Sequence, residues 1–234
     1  MTAQSTDRSG LIFERQWAHL TALGAMLTGL WFSREVAGLD QGSLWGASTP
    51  VWLWLAVGCA VGHQVFVLLA WRTELHLGLV TRLLGSAGFN VYALVFAILG
   101  LARVALVFLV SIANSGTLPL PAVPLKVGAV LLAIPALYTF YSVKRWFGFR
   151  RALGIDHFDP EYRNAPLVRQ GIHRLTSNGM YVYGFLILWV PALWWGSTAG
   201  LAAAVFNHVY IWVHYYVTEK PDMKRIYGER PQSS

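Results

Sequence analysis

Six apolar stretches, at 17–32, 50–71, 87–112, 124–143, 180–195 and 200–217, divide this chain, and nearly all of its charge falls between them. Wound as an α-helix, an apolar run of about 20 residues matches the thickness of a bilayer's hydrocarbon layer. The stretch at 17–32 reaches that length if its helix begins near Ile12. The last two stretches are joined by only Gly196-Ser197-Thr198-Ala199, the connection of a tight helical hairpin. Hydrophobic side chains make up 56% of the chain and charged ones 12%, which exceeds the apolar content a soluble core of this size needs. The expected fold is therefore all-α, a polytopic transmembrane bundle of about six helices forming one membrane domain over 1–234. Residues 1–115 supply its N-terminal helices, and the final hairpin closes it. Gly58 and Gly62, four apart, are candidates for a close helix contact, and Pro135 for a kink.

The net charge of +7 does not point to nucleic acid, because the basic residues sit in the connections and are not interleaved with aromatics on a soluble face. Cytoplasmic loops carry the excess of Lys and Arg in membrane proteins. With both termini cytoplasmic, fifteen of the eighteen fall inside, including Arg8, Arg15, Arg72, Arg82 and the run from Lys144 through Arg163 and Arg169 to Arg174. The tail adds Lys220, Lys224, Arg225 and Arg230, while only Arg34 and Lys126 fall outside. The reading is an integral, multi-pass protein of the bacterial inner membrane. The first fifteen residues lack a short apolar core before a small-residue cleavage site, so no removed leader is expected. Cys59 is the single cysteine, which rules out an internal disulfide framework and reads as a small buried hydrophobe. No metal site is expected.

One long connection, 144–179, is set apart from short ones elsewhere and ends at Gly171-Ile172-His173-Arg174-Leu175-Thr176-Ser177-Asn178-Gly179-Met180-Tyr181-Val182-Tyr183-Gly184, just where the fifth apolar stretch begins. Its 158–166 portion, with Pro160 and Pro166, is turn chemistry. After the last apolar stretch comes Glu219-Lys220-Pro221-Asp222-Met223-Lys224-Arg225-Ile226-Tyr227-Gly228. Only a helical hairpin separates the two stretches, so both emerge on one membrane face and are able to share a site.

These two stretches, in this order, resemble the paired signatures of the integral-membrane methyltransferases that include phosphatidylethanolamine N-methyltransferases and isoprenylcysteine carboxyl methyltransferases. Gly171, Arg174, Met180 and Tyr181 fall in register, with Gly184 one position later than in many relatives; Glu219 and the pair Tyr227-Gly228 fit the second signature. Ser177-Asn178-Gly179 stands where Arg-His-Pro is usual, and Ile172-His173 where Pro-Tyr is usual. The resemblance covers 122–230 and implies a methyltransferase-like core that holds S-adenosylmethionine at the cytoplasmic mouth between the 144–179 loop and the last two helices. A lipid-like, amphipathic acceptor enters from the bilayer.

The implied cofactor residues are Gly171, Arg174, Asn178, Gly179, Met180, Tyr181, Gly184 and Glu219. Their chemistry suits the task. Asn178 both donates and accepts, helix-start amides favour a carboxylate, Tyr181 offers a ring, and Glu219 offers charge to a sulfonium. Glu219 is the first candidate base and His214 the second. Arg103, alone within the third apolar stretch, is a candidate for the substrate's phosphate or an acidic partner, since a charge at that depth faces the bundle or a cavity. His63, Asn207 and His208 are the other polar residues inside apolar stretches. The acceptor expected is a phospholipid headgroup amine. An isoprenylcysteine-type carboxylate, a thiol, a non-catalytic scaffold, and a haem bundle using His63 with His208 or His214 are the alternatives.

Overall fold

A computed structural model describes residues 8–36, 38–163, 166 and 168–228. Asn164, Ala165 and Arg230 of the expected loop and tail lie outside the described residues, as do the side chains of Arg8 and Arg163. The chain crosses one bundle six times. The short α1 (Arg8–Ile12) precedes α2 (Gln16–Phe32), and a hairpin of β1 (Ser43–Leu44) on β2 (Ala47–Ser48) turns the chain into α3 (Thr49–Leu77). Then α4 (Leu79–Leu84) leads into α5 (Gly88–Ala113), and α6 (Ala122–Ser142) returns to end in a π-helical turn at Val143–Phe147. The long connection holds α7 (Phe149–Ala152) and α8 (Pro160–Arg163) with two 3-10 turns. The fifth pass is α9 (Gly179–Val182), a 3-10 turn and α10 (Trp189–Trp194); the sixth is α11 (Thr198–His214), followed by a second π-helical turn and α12 (Lys220–Tyr227).

Three stretches, Thr49–Leu77, Leu79–Ala113 and Ala122–Phe147, are long and apolar enough to cross a membrane. Their outward faces carry Leu94, Ile98 and Leu101 on α5 and Leu131, Ile134 and Leu137 on α6, each more than half exposed. Such a surface suits a hydrocarbon surrounding, in keeping with the length and apolar composition of these helices. Inside, small residues let α3, α5 and α11 approach closely: Ala56 and Ala60 meet Val107, Val110, Ala199, Ala203 and Ala204, all buried. The expected contact at Gly58 and Gly62 is not made, since both face open space. The close approach is at Gly200, where a Cβ would lie 2.2 Å from Ser111 Oγ on α5.

The two ends of the bundle are tied differently. At one end Asn114 Nδ2 donates to Gly38 O and Gln41 O, both at 2.7 Å, while its Oδ1 accepts from Ser197 Oγ and the Ala199 amide. At the other, the fully buried Arg72 gathers the N-terminus and the tail. It donates to Ile12 O at 3.1 Å, Glu14 O at 2.7 Å, Val217 O at 3.1 Å and Asp222 Oδ2 at 3.2 Å. Loop 144–179 folds over this second end, with Ile155 and His157 each 1% exposed and the His157 ring stacked on Trp71 at 4.2 Å.

Two expected helices take a different form. The first pass does not extend back to Ile12, because Arg72 occupies the Ile12 and Glu14 carbonyls that a continuous helix would use for itself; Arg15 takes φ 60° and α2 starts at Gln16. The fifth pass is not one α-helix. Pro191 has no N–H and its ring crowds the carbonyl four residues back, so the chain tightens to 3-10 at Gly184–Leu188 before α10. The tighter winding rises about 2.0 Å per residue, against 1.5 Å for an α-helix. It lengthens a pass that is otherwise short.

Candidate active site

The loop signature is seated on α6 before it enters the bundle. Gly171 has φ +60°, and a Cβ there would fall 2.5 Å from the Trp146 ring and 2.6 Å from Ser142 Oγ. That same hydroxyl accepts from the Ile172 amide at 3.1 Å. Gly179 leaves room for Ile172, whose Cγ2 would lie 2.9 Å from a Cβ, and Gly184 faces Thr139. These three glycines position the backbone against its neighbours. Gly171→Ala is expected to destabilise the folded protein by about 1–3 kcal/mol, read as a lower thermal midpoint in detergent. An unchanged midpoint would show that the loop seat is not needed.

From this seat the chain presents two side chains to the sixth pass. Tyr181 donates its hydroxyl to Glu219 Oε2, joining the loop to the tail. Asn178 Nδ2 reaches the Tyr215 hydroxyl at 3.5 Å, and its backbone carbonyl accepts from the amides of Tyr181 and Val182. The Asn178 side chain makes no capping bond to α9. Around Tyr181 stand Phe185, Trp212 and Tyr215, ring centroids 6.2, 6.0 and 5.8 Å away, all edge-on. Four aromatic rings and a carboxylate thus share one corner, a combination suited to a small organic cation.

A π-helical turn places Glu219 there. Residues five apart on an α-helix do not face each other, but the i→i+5 pairing of the turn Tyr215–Glu219 brings position 219 to the side occupied by His214. Arg72 fixes that turn through Val217 O. Burial, the largest effect, raises the Glu219 carboxyl from 4.5 to about 7; the Tyr181 hydrogen bond opposes the rise and the charges of Asp222 and Asp156 add to it. The second tail motif serves as a tether: the Tyr227 hydroxyl donates to Asp156 of the loop.

The other expected site residues are distributed differently. Arg174 is exposed and makes no side-chain bond among the described residues, so its position in register does not bring it to this corner. Met180 is half-buried on α9 beside Tyr181. His214 is 1% exposed, tilted against Trp71 at 5.8 Å, and makes no hydrogen bond to Glu219 or Tyr181. Arg103 is buried in the bundle, its Nε donating to Asn207 Oδ1 at 3.0 Å and its Nη1 3.5 Å from His63 Nδ1. His208 turns to Trp189, accepting from its indole at 3.0 Å, so it and His63 serve different partners. Among the described residues no group of three or more His, Cys, Asp or Glu is arranged to hold a metal ion.

Residues 124–230 match the family model described as phospholipid methyltransferase. Over that segment, somewhat less than half of the chain, the sequence is similar to this family. Comparison with curated proteins and comparison with solved structures each found no match. The matched segment runs from α6 into the tail and contains both signatures, the Tyr181–Glu219 contact and both π-helical turns. Helices α1 to α5 precede it, yet Arg72 of α3 holds its last turn in place. Sequence reasoning missed Tyr215, Trp212, Phe185 and Arg72 as parts of this corner. The aromatic spacing at 212, 215 and 216 was the available signal for the first two; for Arg72 only the three-dimensional contact reveals it.

Proposed function

We propose that this membrane methyltransferase transfers the methyl group of S-adenosylmethionine to the amine of a phospholipid head group, at the corner formed by Asn178, Tyr181, Tyr215 and Glu219. The observation that carries the reading is the Tyr181–Glu219 hydrogen bond, which joins the two signatures at one end of the bundle and sets a carboxylate against aromatic faces. The residues present suit the cofactor. Tyr181, Phe185, Trp212 and Tyr215 offer ring faces and edges to a sulfonium, Glu219 offers it negative charge, and Asn178 offers a donor and an acceptor to the amino-acid end. When bound, S-adenosylmethionine supplies a methyl carbon whose bond to sulfur breaks as the acceptor's lone pair forms the new bond.

The protein's own residues do the rest. A head-group ammonium has no lone pair until it loses a proton, and Glu219, raised to about 7, is matched to take that proton near neutral pH. Tyr181 donates to the carboxylate and holds it in place. The enclosing aromatic side chains keep water from the reacting atoms, and orientation of two bound partners supplies much of the acceleration. The active end of the bundle is read as cytoplasmic, in line with the Lys and Arg excess at that end.

The test is calorimetric titration of S-adenosylmethionine and S-adenosylhomocysteine into the detergent-solubilised full chain, beside Tyr181→Ala. Saturable binding by wild type, weakened about tenfold or more in the variant, is the expected result. Folded wild-type protein that binds neither compound would sink this function and favour a non-catalytic scaffold, with Ser177-Asn178-Gly179 in place of Arg-His-Pro as its cause. Mass spectrometry of phosphatidylethanolamine incubated with enzyme and cofactor then reads the acceptor, the expected gain being one methyl group at nitrogen.

A further inference from the structure

Near the midpoint of α5, Arg103 carries a buried positive charge that the bundle does not neutralise. The residue is 5% exposed, and its contacts among the described residues are with neutral groups: Asn207 Oδ1 at 3.0 Å, His63 Nδ1 at 3.5 Å and the Phe185 ring face at 5.3 Å. No carboxylate among the described residues lies within ion-pair distance of it. Its Nη2 has no hydrogen-bond partner. Nor has Nε2 of His63, 4% exposed, nor either ring nitrogen of His214, 1% exposed. An unpaired cation at this depth is costly, and buried polar atoms without partners are rare in native structures. Arg103 donates; the neutral imidazoles of His63 and His214 each offer one further donor. What the pocket lacks is an acceptor bearing negative charge.

The geometry points to an oxyanion-binding pocket formed by Arg103, His63, Asn207 and His214, which takes the carboxylate or phosphate of a molecule bound at the methyl-transfer corner. Phe185 is the shared wall. Its ring lies under the Arg103 guanidinium at 5.3 Å and meets Tyr181 edge-on at 6.2 Å. Asn207, His214 and Glu219 follow one another along the sixth pass, which leads from the Arg103 cluster to the methyl-transfer corner. This assignment rests on the methyltransferase reading for its occupant, and it extends that reading by giving helices α3 and α5, which lie outside the family segment, a part in binding. Two molecules at such a corner carry the required oxyanion. One is the cofactor, through the carboxylate of its amino-acid end; the other is the acceptor lipid, through its phosphate.

Four probes and two variants separate these sources. S-Adenosylhomocysteine and 5′-methylthioadenosine differ in the amino-acid carboxylate; dioctanoylphosphatidylethanolamine and hexadecylamine differ in the phosphate. Each is titrated into wild type, Arg103→Gln and Asn207→Asp, the last setting a carboxylate beside the guanidinium, where it competes with any bound oxyanion. If the cofactor's carboxylate occupies the pocket, both variants bind S-adenosylhomocysteine about tenfold or more weakly and 5′-methylthioadenosine as wild type does. If the lipid phosphate occupies it, the loss falls on dioctanoylphosphatidylethanolamine alone. Either result supports the pocket. Variants that bind all four probes as wild type does overturn it. Should Arg103→Gln fail to fold, Asn207→Asp alone decides, since it keeps the Arg103 guanidinium and sets a negative charge beside it, at the cost of one buried bond from Asn207 Nδ2 to Ala203 O. Wild type that binds the phosphatidylethanolamine probe but neither adenosyl compound defeats the methyltransferase reading and leaves the pocket to be judged on the lipid arm. Wild type that binds none of the four defeats both.

Discussion

Glu219→Gln is expected to lower methyl-transfer turnover by about 10²–10⁴-fold, the usual contribution of a positioned general base, and to make the folded protein more stable above neutral pH. The two effects have one cause. Enclosure beside Tyr181 raises the Glu219 carboxyl from 4.5 in the unfolded chain to about 7 in the fold. Between those values the folded state binds more protons than the unfolded state, so stability falls as pH rises through that window and is fully present only below 4.5. A glutamine is the permanently neutral counterpart of the protonated acid and avoids that loss. Turnover runs the opposite way, since only the carboxylate accepts a proton: the wild-type rate should rise with pH to a plateau, with its midpoint near 7. Tyr181→Phe removes the hydrogen bond that favours the carboxylate and should move the midpoint upward. The measurement is a pair of pH series, initial rate and thermal midpoint, for the three proteins. A glutamine variant with undiminished turnover, or a rate profile flat across neutral pH, would remove Glu219 from the role of base.

Much of this arrangement is legible in the sequence because the bilayer imposes so strong a constraint. Long apolar stretches report membrane helices through composition alone, and the number of crossings then fixes which connections lie together. That counting places Tyr181 and Glu219 at one end, and they touch. Local register says less about which side chains face inward. Arg174 lies in register with the signature, yet it is exposed, because the 3-10 turn Gly171–Arg174 rotates it away from the bundle. The break after Ile12 depends on a side chain sixty residues away in sequence, which no local pattern around Ile12 discloses. Glu219 reaches the corner only through a π-helical turn, and helical periodicity read at 3.6 residues turns it elsewhere. Gly58 and Gly62 show the converse error, a small-residue spacing with nothing packed against it. His63, Asn207 and Arg103 are each visible as polar residues inside apolar stretches, but that they form one cluster is a fact about three helices meeting.

Arg72→Met is expected to destabilise the folded protein by about 3–5 kcal/mol, the loss typical when one member of a buried ion pair is removed. Arg72 and Asp222 side chains are both fully buried, and the guanidinium also satisfies the carbonyls of Ile12, Glu14 and Val217. Methionine approximates the volume but leaves those carbonyls without this donor and Asp222 without its buried cation, although Arg225 still reaches Asp222 from the part-exposed side. Lysine keeps the charge but has no planar fork, so Arg72→Lys should fall between wild type and methionine. The loss is also functional, because Val217 lies in the π-helical turn that carries Glu219 and its carbonyl is one of the four groups Arg72 holds. Two readouts separate a clamp from a mere charge. In the double variant Arg72→Met with Asp222→Asn, the unpaired carboxylate is gone, so part of the lost stability should return. Turnover should not return with it, because the tie to Val217 is still missing. Thermal unfolding and initial rate, measured on the single and double variants, test both halves. A double variant that recovers stability and turnover together would mean that Arg72 serves only to neutralise Asp222, and that the last turn holds Glu219 in place without it.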